Sequence, residues 1–178
     1  PIKLLDCSAP CDGASAILLV SEEKARSIDN PVFIKGIGQQ TISASFAKAT
    51  SDLTTVEAAR KAARIAFERS HTKPSQIDIA ELHDAFTILE IIAYEDLGFA
   101  KRGEGGKFVN QHQIAINSRG GIIGCGHPVG ATGVAQVAEI ASQLAGKAGK
   151  RQVKNCKTGL VHNLAAAGSS ASVIVMGV

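Results

Sequence analysis

Two histidines stand in sequence settings that suit proton transfer. His83 follows the alternating apolar and polar segment 77–82 and precedes Asp84, at the expected start of a helix. His127 lies in the segment 120–133, GGIIGCGHPVGATG, in which six of fourteen residues are glycine. An imidazole has an unperturbed pKa of about 6.5 and exchanges protons readily near neutral pH. His83 and His127 are therefore candidate catalytic residues. The alternative is that Asp84 only caps a helix and His83 is an ordinary loop residue.

The glycines around His127 indicate that the backbone approaches a ligand closely. Gly126 and Gly130 flank the histidine, and Pro128 stiffens the chain directly after it. Glycine permits a close approach because it has no Cβ atom. A helix that begins between Gly130 and Gly133 would point backbone N–H groups at an anion or a thioester carbonyl. No lysine follows the glycines, so the segment is not a nucleotide-binding P-loop. The alternative is a structural glycine turn before a helix.

The segment 161–170, VHNLAAAGSS, is a stretch of small residues between two apolar runs. Small side chains leave backbone N–H groups accessible, and such groups stabilise a developing oxyanion. The alternative is a tight hairpin without a chemical role.

Four cysteines are present, at positions 7, 11, 125 and 156, and no two of them form a Cys-x-x-Cys pair. Cys7 and Cys11 are four residues apart, but no second ligand pair with zinc-like spacing follows, so we predict no metal site. Cys125 lies two residues before His127 and is the thiol nearest to these motifs. It is a candidate acid/base, with a packing role as the alternative.

Composition is that of one soluble globular domain. The 178 residues are 45% hydrophobic and 20% charged, with a net charge of +3. This charge is too weak to predict nucleic-acid binding. Basic residues cluster between positions 147 and 157, either as a solvated loop or as a phosphate contact. No apolar run approaches the ~20 residues that span a bilayer, and no signal peptide is recognisable. We therefore predict a cytoplasmic protein without a membrane partner.

Strands and helices alternate along the chain. Apolar or β-branched patterns predict strands at 13–20, which we expect to be buried, and at 32–43, 77–82, 114–117 and, as an antiparallel pair, within 158–177. Ser21 is expected to cap a short helix. Thr54 and Glu57 have capping-box spacing ahead of a second helix, and Asp84 is expected to cap a third. Periodic apolar residues predict a fourth helix at 133–146. This order predicts a layered α/β domain with a mixed, mostly five-stranded sheet covered by helices.

Several segments together resemble the C-terminal half of thiolases. They are DCSAPCDGASAILLVSEEKA at the start of the chain, HDAF at 83–86, GEGGKF at 103–108 and INSRGGIIGCGHPVGATG at 116–133. They occur in the same order as in that family, and the resemblance covers essentially the whole chain. HDAF is closer to the sterol-carrier-protein-type and archaeal acetyl-CoA acetyltransferase branches. The resemblance implies a thiolase fold of two similar domains, of which residues 1–178 would be the second.

The resemblance also implies roles for individual residues. His127 would take the proton of a nucleophilic cysteine, and His127 with His83 would hold the thioester oxygen of the incoming acyl-CoA. The backbone from Asn163 to Ala165 would contribute a second oxyanion hole. The reaction would be acyl transfer, either thiolysis of a 3-ketoacyl-CoA or Claisen condensation of acetyl-CoA. Coenzyme A thioesters would be the substrates, with no further cofactor, and the basic cluster would contact the nucleotide end of coenzyme A.

This sequence departs from the family pattern at its thiols. The nucleophilic cysteine belongs to an N-terminal domain that these residues do not contain, so that domain is an expected partner and the isolated chain is expected to be inactive. The positions of the family's second acid/base cysteine are Asn163 and Ala85 here. Thiolases are typically dimers or tetramers, so we expect a homo-oligomer. Two alternatives stay open, a thiolase-like aldolase that forms no acyl-enzyme and a non-catalytic subunit that binds CoA esters or lipid.

Overall fold

The computed structural model describes residues 2–43, 52–110 and 113–178. In this part of the chain, five strands form one mixed sheet in the order β1-β5-β4-β2-β3. The strands are β1 (Phe33–Thr41), β2 (Ile79–Glu81), β3 (Ala115–Ile116), β4 (Thr158–Ala165) and β5 (Ser170–Gly177). β2 runs parallel to β3 and β4, whereas β5 is antiparallel to β4 and β1. The predicted mixed five-stranded sheet is confirmed.

Helices cover both faces of this sheet. They are α1 (Glu22–Ala25), α2 (Glu57–Ser70), α3 (Thr87–Asp96), α4 (Gly105–Phe108), α5 (Gly121–Cys125) and α6 (Thr132–Leu144). Successive strand residues point to opposite faces, so Leu160 of β4 packs with α2 and α3 while Val161 packs with α6. The sheet is thus sandwiched between two helical layers, as the predicted layered α/β architecture requires.

Glycines in β1 allow the alanine-rich helix α2 to lie close to the sheet. A bulge separates Ile34 and Gly36, and a Cβ atom at Gly36 would lie 2.5 Å from the carbonyl oxygen of Ala66. At Gly38 the same atom would collide with the carbonyl group of Ala62. Both the bulge and the close approach follow the expectation from the strand pattern.

Two predicted helix caps are wrong because other groups compete for them. α2 begins after Val56 instead of Thr54, and the Val56 amide donates to Asp96 Oδ2 at 2.7 Å. Likewise α3 begins only at Thr87, after Phe86. No side chain caps the start of α3, because its predicted cap, Asp84, accepts from backbone amides of α5 instead. Ser21, in contrast, accepts from the Lys24 amide at 3.3 Å and caps α1 as predicted.

The prediction of a buried strand at 13–20 is also wrong. No strand is assigned to this segment, and Leu18 and Leu19 are 88% and 69% exposed. A strand needs a neighbouring strand for its backbone hydrogen bonds, and none of the strands in the described residues pairs with segment 13–20. Its apolar side chains therefore face outward.

Candidate functional site

The two candidate histidines lie against each other. The ring centroids of His83 and His127 are 5.2 Å apart, with an angle of 81° between the ring planes. His83 follows the end of β2, which lies between β4 and the edge strand β3, and His127 follows α5. The fold therefore brings together two imidazoles that are 44 residues apart in the numbering.

Asn117 and Asp84 hold the two histidine loops in place. Asn117 accepts from the Leu82 amide at 2.7 Å, directly before His83. Asp84 accepts from the Ile122 amide at 2.7 Å and from the Ile123 amide at 3.4 Å, so it caps α5, the helix ahead of His127. The sequence suggested Asp84 as a cap but assigned it to the wrong helix.

The N-terminal segment 2–12 crosses both loops. The Ser8 amide donates to the carbonyl of Ala85 at 2.9 Å, and the His127 amide donates to the carbonyl of Ala9 at 2.8 Å. Gly126 has a φ of +84°, and a Cβ atom there would lie 2.6 Å from Cys11 Sγ. Glycine at this position therefore permits both the turn and the close approach of the segment.

His127 is held by a hydroxyl group. Its Nδ1 lies 2.8 Å from Oγ1 of Thr132, which is fully buried at the start of α6. If Nδ1 carries the proton it donates to this oxygen, and Nε2 is then free to accept a proton. Thr132 was not among the predicted site residues, although a hydroxyl directly before the predicted helix was a usable signal.

His83 is an imidazole whose surroundings favour the neutral form. Its side chain is 6% exposed, and Nδ1 lies 3.2 Å from Nδ2 of Asn163. Burial, together with the neighbouring His127, lowers the pKa of His83 from its usual value of about 6.5 to about 4. A neutral imidazole carries one N–H donor, which is what an oxygen with developing negative charge requires.

Both histidines line an open cavity of about 1000 Å³ whose described walls are mainly apolar. Gly130, Asn163 and Ala165 also line it, and their predicted roles as substrate loop and oxyanion positions stay predictions. Asn163 and Ala165 belong to β4, opposite Ser172 and Ser170 of β5. A short turn with Ala167 at φ +55° joins these two strands, as the small-residue segment predicted.

Cys125, Gly126 and Pro128 lie beside the cavity without contributing to its described lining. Cys125 is exposed, and its thiol donates to the carbonyl of Arg119 at 3.1 Å. Its acid/base role stays a prediction. A Cβ atom at Gly13 would lie 2.8 Å from Cβ of Pro128, so the proline also packs against the chain that follows segment 2–12.

The basic cluster is a surface feature away from the cavity. Lys147, Lys150, Lys154 and Lys157 are exposed, and Arg151 forms a 2.8 Å ion pair with the buried Glu139. Among the residues with described positions, no three His, Cys, Asp or Glu side chains are grouped to hold a metal ion. The helices within the same ranges include none with the length and apolarity to cross a bilayer.

Several known proteins are similar to this chain over most of its length. A family model described as thiolase C-terminal domain-like matches residues 38–178. An acetyl-CoA acetyltransferase of Methanothermobacter thermautotrophicus is 42% identical over 97% of this chain, which spans 47% of that protein. Sterol carrier protein 2 of Oryctolagus cuniculus is 38% identical over 95% of the chain, which spans 33% of it. A solved structure titled Ltp2-ChsH2(DUF35) aldolase has a TM-score of 0.85 and 25% identity, over 99% of this chain and 47% of its own.

Proposed function

Because this chain belongs to the thiolase C-terminal domain-like family, we propose that it is the thioester-binding half of an acyl-CoA acyltransferase. Its substrates would be coenzyme A thioesters, and its reaction either thiolysis of a 3-ketoacyl-CoA or Claisen condensation of two acetyl-CoA molecules. The supporting observation is the pair of imidazoles, 5.2 Å apart, that faces a mainly apolar cavity. Apolar walls suit an acyl chain, and the imidazoles supply the polar groups that orient its carbonyl.

The two imidazoles divide the work between them. Neutral His83 donates a hydrogen bond to the thioester oxygen, where negative charge develops. Nε2 of His127 accepts the proton of a cysteine thiol from the remainder of the enzyme, and the thiolate attacks the thioester carbonyl. The bond between carbonyl carbon and CoA sulfur then breaks, and His127 returns the proton to the departing thiolate. Thr132 keeps Nε2 available by holding Nδ1.

The remainder of the enzyme is part of this proposal. The chain spans about half the length of the acetyl-CoA acetyltransferase it resembles. We assign the cysteine nucleophile to the other half, an N-terminal domain, and assign residues 1–178 to a C-terminal domain. The complete protein is a cytoplasmic homo-oligomer in this proposal.

Substitution of His127 tests the assignment. In the complete protein, His127→Ala should nearly abolish acyl transfer, because the thiol loses its base, which contributes about 10²–10⁴-fold to such reactions. Release of free coenzyme A from acetyl-CoA measures the rate, and circular dichroism verifies that the fold is retained. Turnover at the unsubstituted rate would remove His127 from the mechanism.

An aldolase is the second candidate. The similarity to the structure titled Ltp2-ChsH2(DUF35) aldolase favours it, as do Ala85 and Asn163 at the positions of the family's second acid/base cysteine. Intact-mass measurement after mixing the complete protein with acetyl-CoA separates the two. An acetyl adduct on cysteine supports the acyltransferase, whereas carbon–carbon cleavage of a CoA-linked side chain without an adduct supports the aldolase. Binding of acyl-CoA without either reaction would indicate a non-catalytic subunit.

A further inference from the structure

Gln136 is a buried amide that connects the site to the backbone of β4. It lies on α6, is 1% exposed, and has no part in the roles described above. Its Nε2 donates to the carbonyl oxygen of His162 at 3.3 Å. Its Oε1 accepts from Nδ2 of Asn163 at 2.9 Å, and the same Nδ2 lies 3.2 Å from Nδ1 of His83. Three hydrogen bonds therefore run from a backbone carbonyl to a ring nitrogen of His83.

The carbonyl oxygen of His162 fixes which atom donates and which accepts in each of these hydrogen bonds. A carbonyl oxygen only accepts, so the Gln136 atom that faces His162 is Nε2 and the atom that faces Asn163 is Oε1. An amide oxygen also only accepts, so Asn163 must present its NH₂ group. That group only donates, and its second hydrogen is directed at His83, whose Nδ1 must accept.

We propose that Gln136 is a positioning residue that holds His83 in the tautomer protonated on Nε2. In a neutral imidazole either nitrogen can carry the proton, and the partner of one nitrogen decides the state of the other. At pH 7 the ring is neutral, because burial and His127 lower the pKa of His83 to about 4. The Nε2–H tautomer leaves a hydrogen-bond donor on the ring edge away from Asn163, as the first step of the proposed function requires.

The effect of this tautomer on catalysis rests on the proposed function. The tautomer itself follows from the hydrogen bonds alone. Without Gln136 the Asn163 amide could rotate and present its oxygen to His83. Nδ1 would then carry the proton, and Nε2 would become an acceptor that repels the thioester oxygen. A single buried glutamine thus decides whether the site offers a donor or a second acceptor.

Long-range ¹H–¹⁵N NMR on ¹⁵N-histidine-labelled protein identifies which ring nitrogen is protonated. The sequence contains five histidines, so the His83 signals are assigned by their loss in His83→Gln. We expect wild-type His83 near neutral pH to have a protonated Nε2 and an unprotonated Nδ1.

Gln136→Met keeps the length of the side chain but removes both hydrogen bonds, and it should give a mixture of His83 tautomers. In the complete enzyme kcat should fall about tenfold with KM little changed, as for loss of one hydrogen bond made in the transition state.

Gln136→Glu and Gln143→Met are the matched variants. A glutamate at 136, protonated because it is buried, still donates to the His162 carbonyl and accepts from Asn163, so it should keep the wild-type tautomer. Gln143 is also 1% exposed on α6, and it bonds to the Arg151 carbonyl and the Val153 amide, both at 2.9 Å, away from the histidines. Gln143→Met removes more hydrogen bonds than Gln136→Met, so it should lower stability at least as much, and it should leave the His83 spectrum unchanged.

Two results would overturn the inference. One is a wild-type His83 protonated on Nδ1, which needs no variant to observe and decides the matter even if Gln136→Met does not fold. The other is a folded Gln136→Met protein whose His83 keeps the pure Nε2–H tautomer. The NMR and activity results can also disagree. If the spectra are as expected but the complete protein transfers no acyl group, the proposed function is rejected and the role of Gln136 is retained.

Discussion

Individual side chains decide the chemistry that each histidine can perform. His83 and His127 are the same residue type and touch each other, yet His83 faces the amide of Asn163 and His127 the hydroxyl of Thr132. An NH₂ group can only donate, whereas a hydroxyl can also accept. The Asn163 amide therefore favours one tautomer of His83, whereas the Thr132 hydroxyl allows either tautomer of His127, which fits the donor and base roles in the proposed function.

Replacing the Asn163 amide by a carboxylate should favour the protonated, positively charged form of His83. In Asn163→Asp the new negative charge favours the imidazolium form, so the pKa of His83 should rise from about 4 by roughly 1–3 units. A histidine-detected NMR titration measures it. Asn163→Ala is the control, since it removes the amide without adding charge, and its His83 pKa should stay low because burial persists. Equal pKa values in the two variants would contradict the proposed contact.

At the scale of elements, α5 places His127 and depends on a glycine. Gly121 has a φ of +64°, and a Cβ atom there would overlap the Asp84 carboxylate that caps the helix. The cap and the glycine therefore operate together, and both are needed to bring the His127 loop against the strand end that carries His83.

Gly121→Ala should be destabilising, whereas Gly124→Ala in the same helix should be nearly neutral. The first substitution forces both backbone strain and overlap, at a cost of about 1–3 kcal/mol. A Cβ atom at Gly124 meets no atom within 4 Å. Urea unfolding compares the two variants, and acyl transfer by the complete protein should fall in the first alone. Identical midpoints would show that Asp84 does not constrain the loop.

At the scale of the whole molecule, two segments near the start of the chain expose large apolar side chains. Leu4 and Leu5 in segment 2–12, and Leu18 and Leu19 in segment 13–20, are all more than two-thirds exposed. Exposed leucine pairs of this kind are more often found at interfaces than on free surfaces. Their exposure agrees with the proposal that a further domain packs against this chain.

The isolated chain should therefore self-associate through these segments. Leu18→Lys combined with Leu19→Lys should shift it toward monomer, because charged side chains oppose burial at an interface. Light scattering over a range of concentrations measures the effect. Val109→Lys, at a 47% exposed position elsewhere in the chain, is the control and should change nothing. An unsubstituted chain that is monomeric at all concentrations would count against the interface.

The sequence by itself determined the fold class and the order of most elements, and it indicated His83 and His127 as candidate site residues. Periodicity and glycine spacing are local properties, and they predicted β1, the antiparallel pair β4 and β5, the helix α6 and the loop around His127. They also carried the resemblance to thiolases, which the family match confirms.

Only the tertiary structure decided which groups meet. Asp84 caps α5 instead of α3, Asp96 holds the start of α2, and Gln136 orients Asn163, and each of these contacts joins residues far apart in the chain. Segment 13–20 has the pattern of a buried strand, but burial requires a neighbouring strand that the described chain does not provide. Hydrogen-bond partners and burial are properties of the assembled sheet and helices, and no local pattern encodes them.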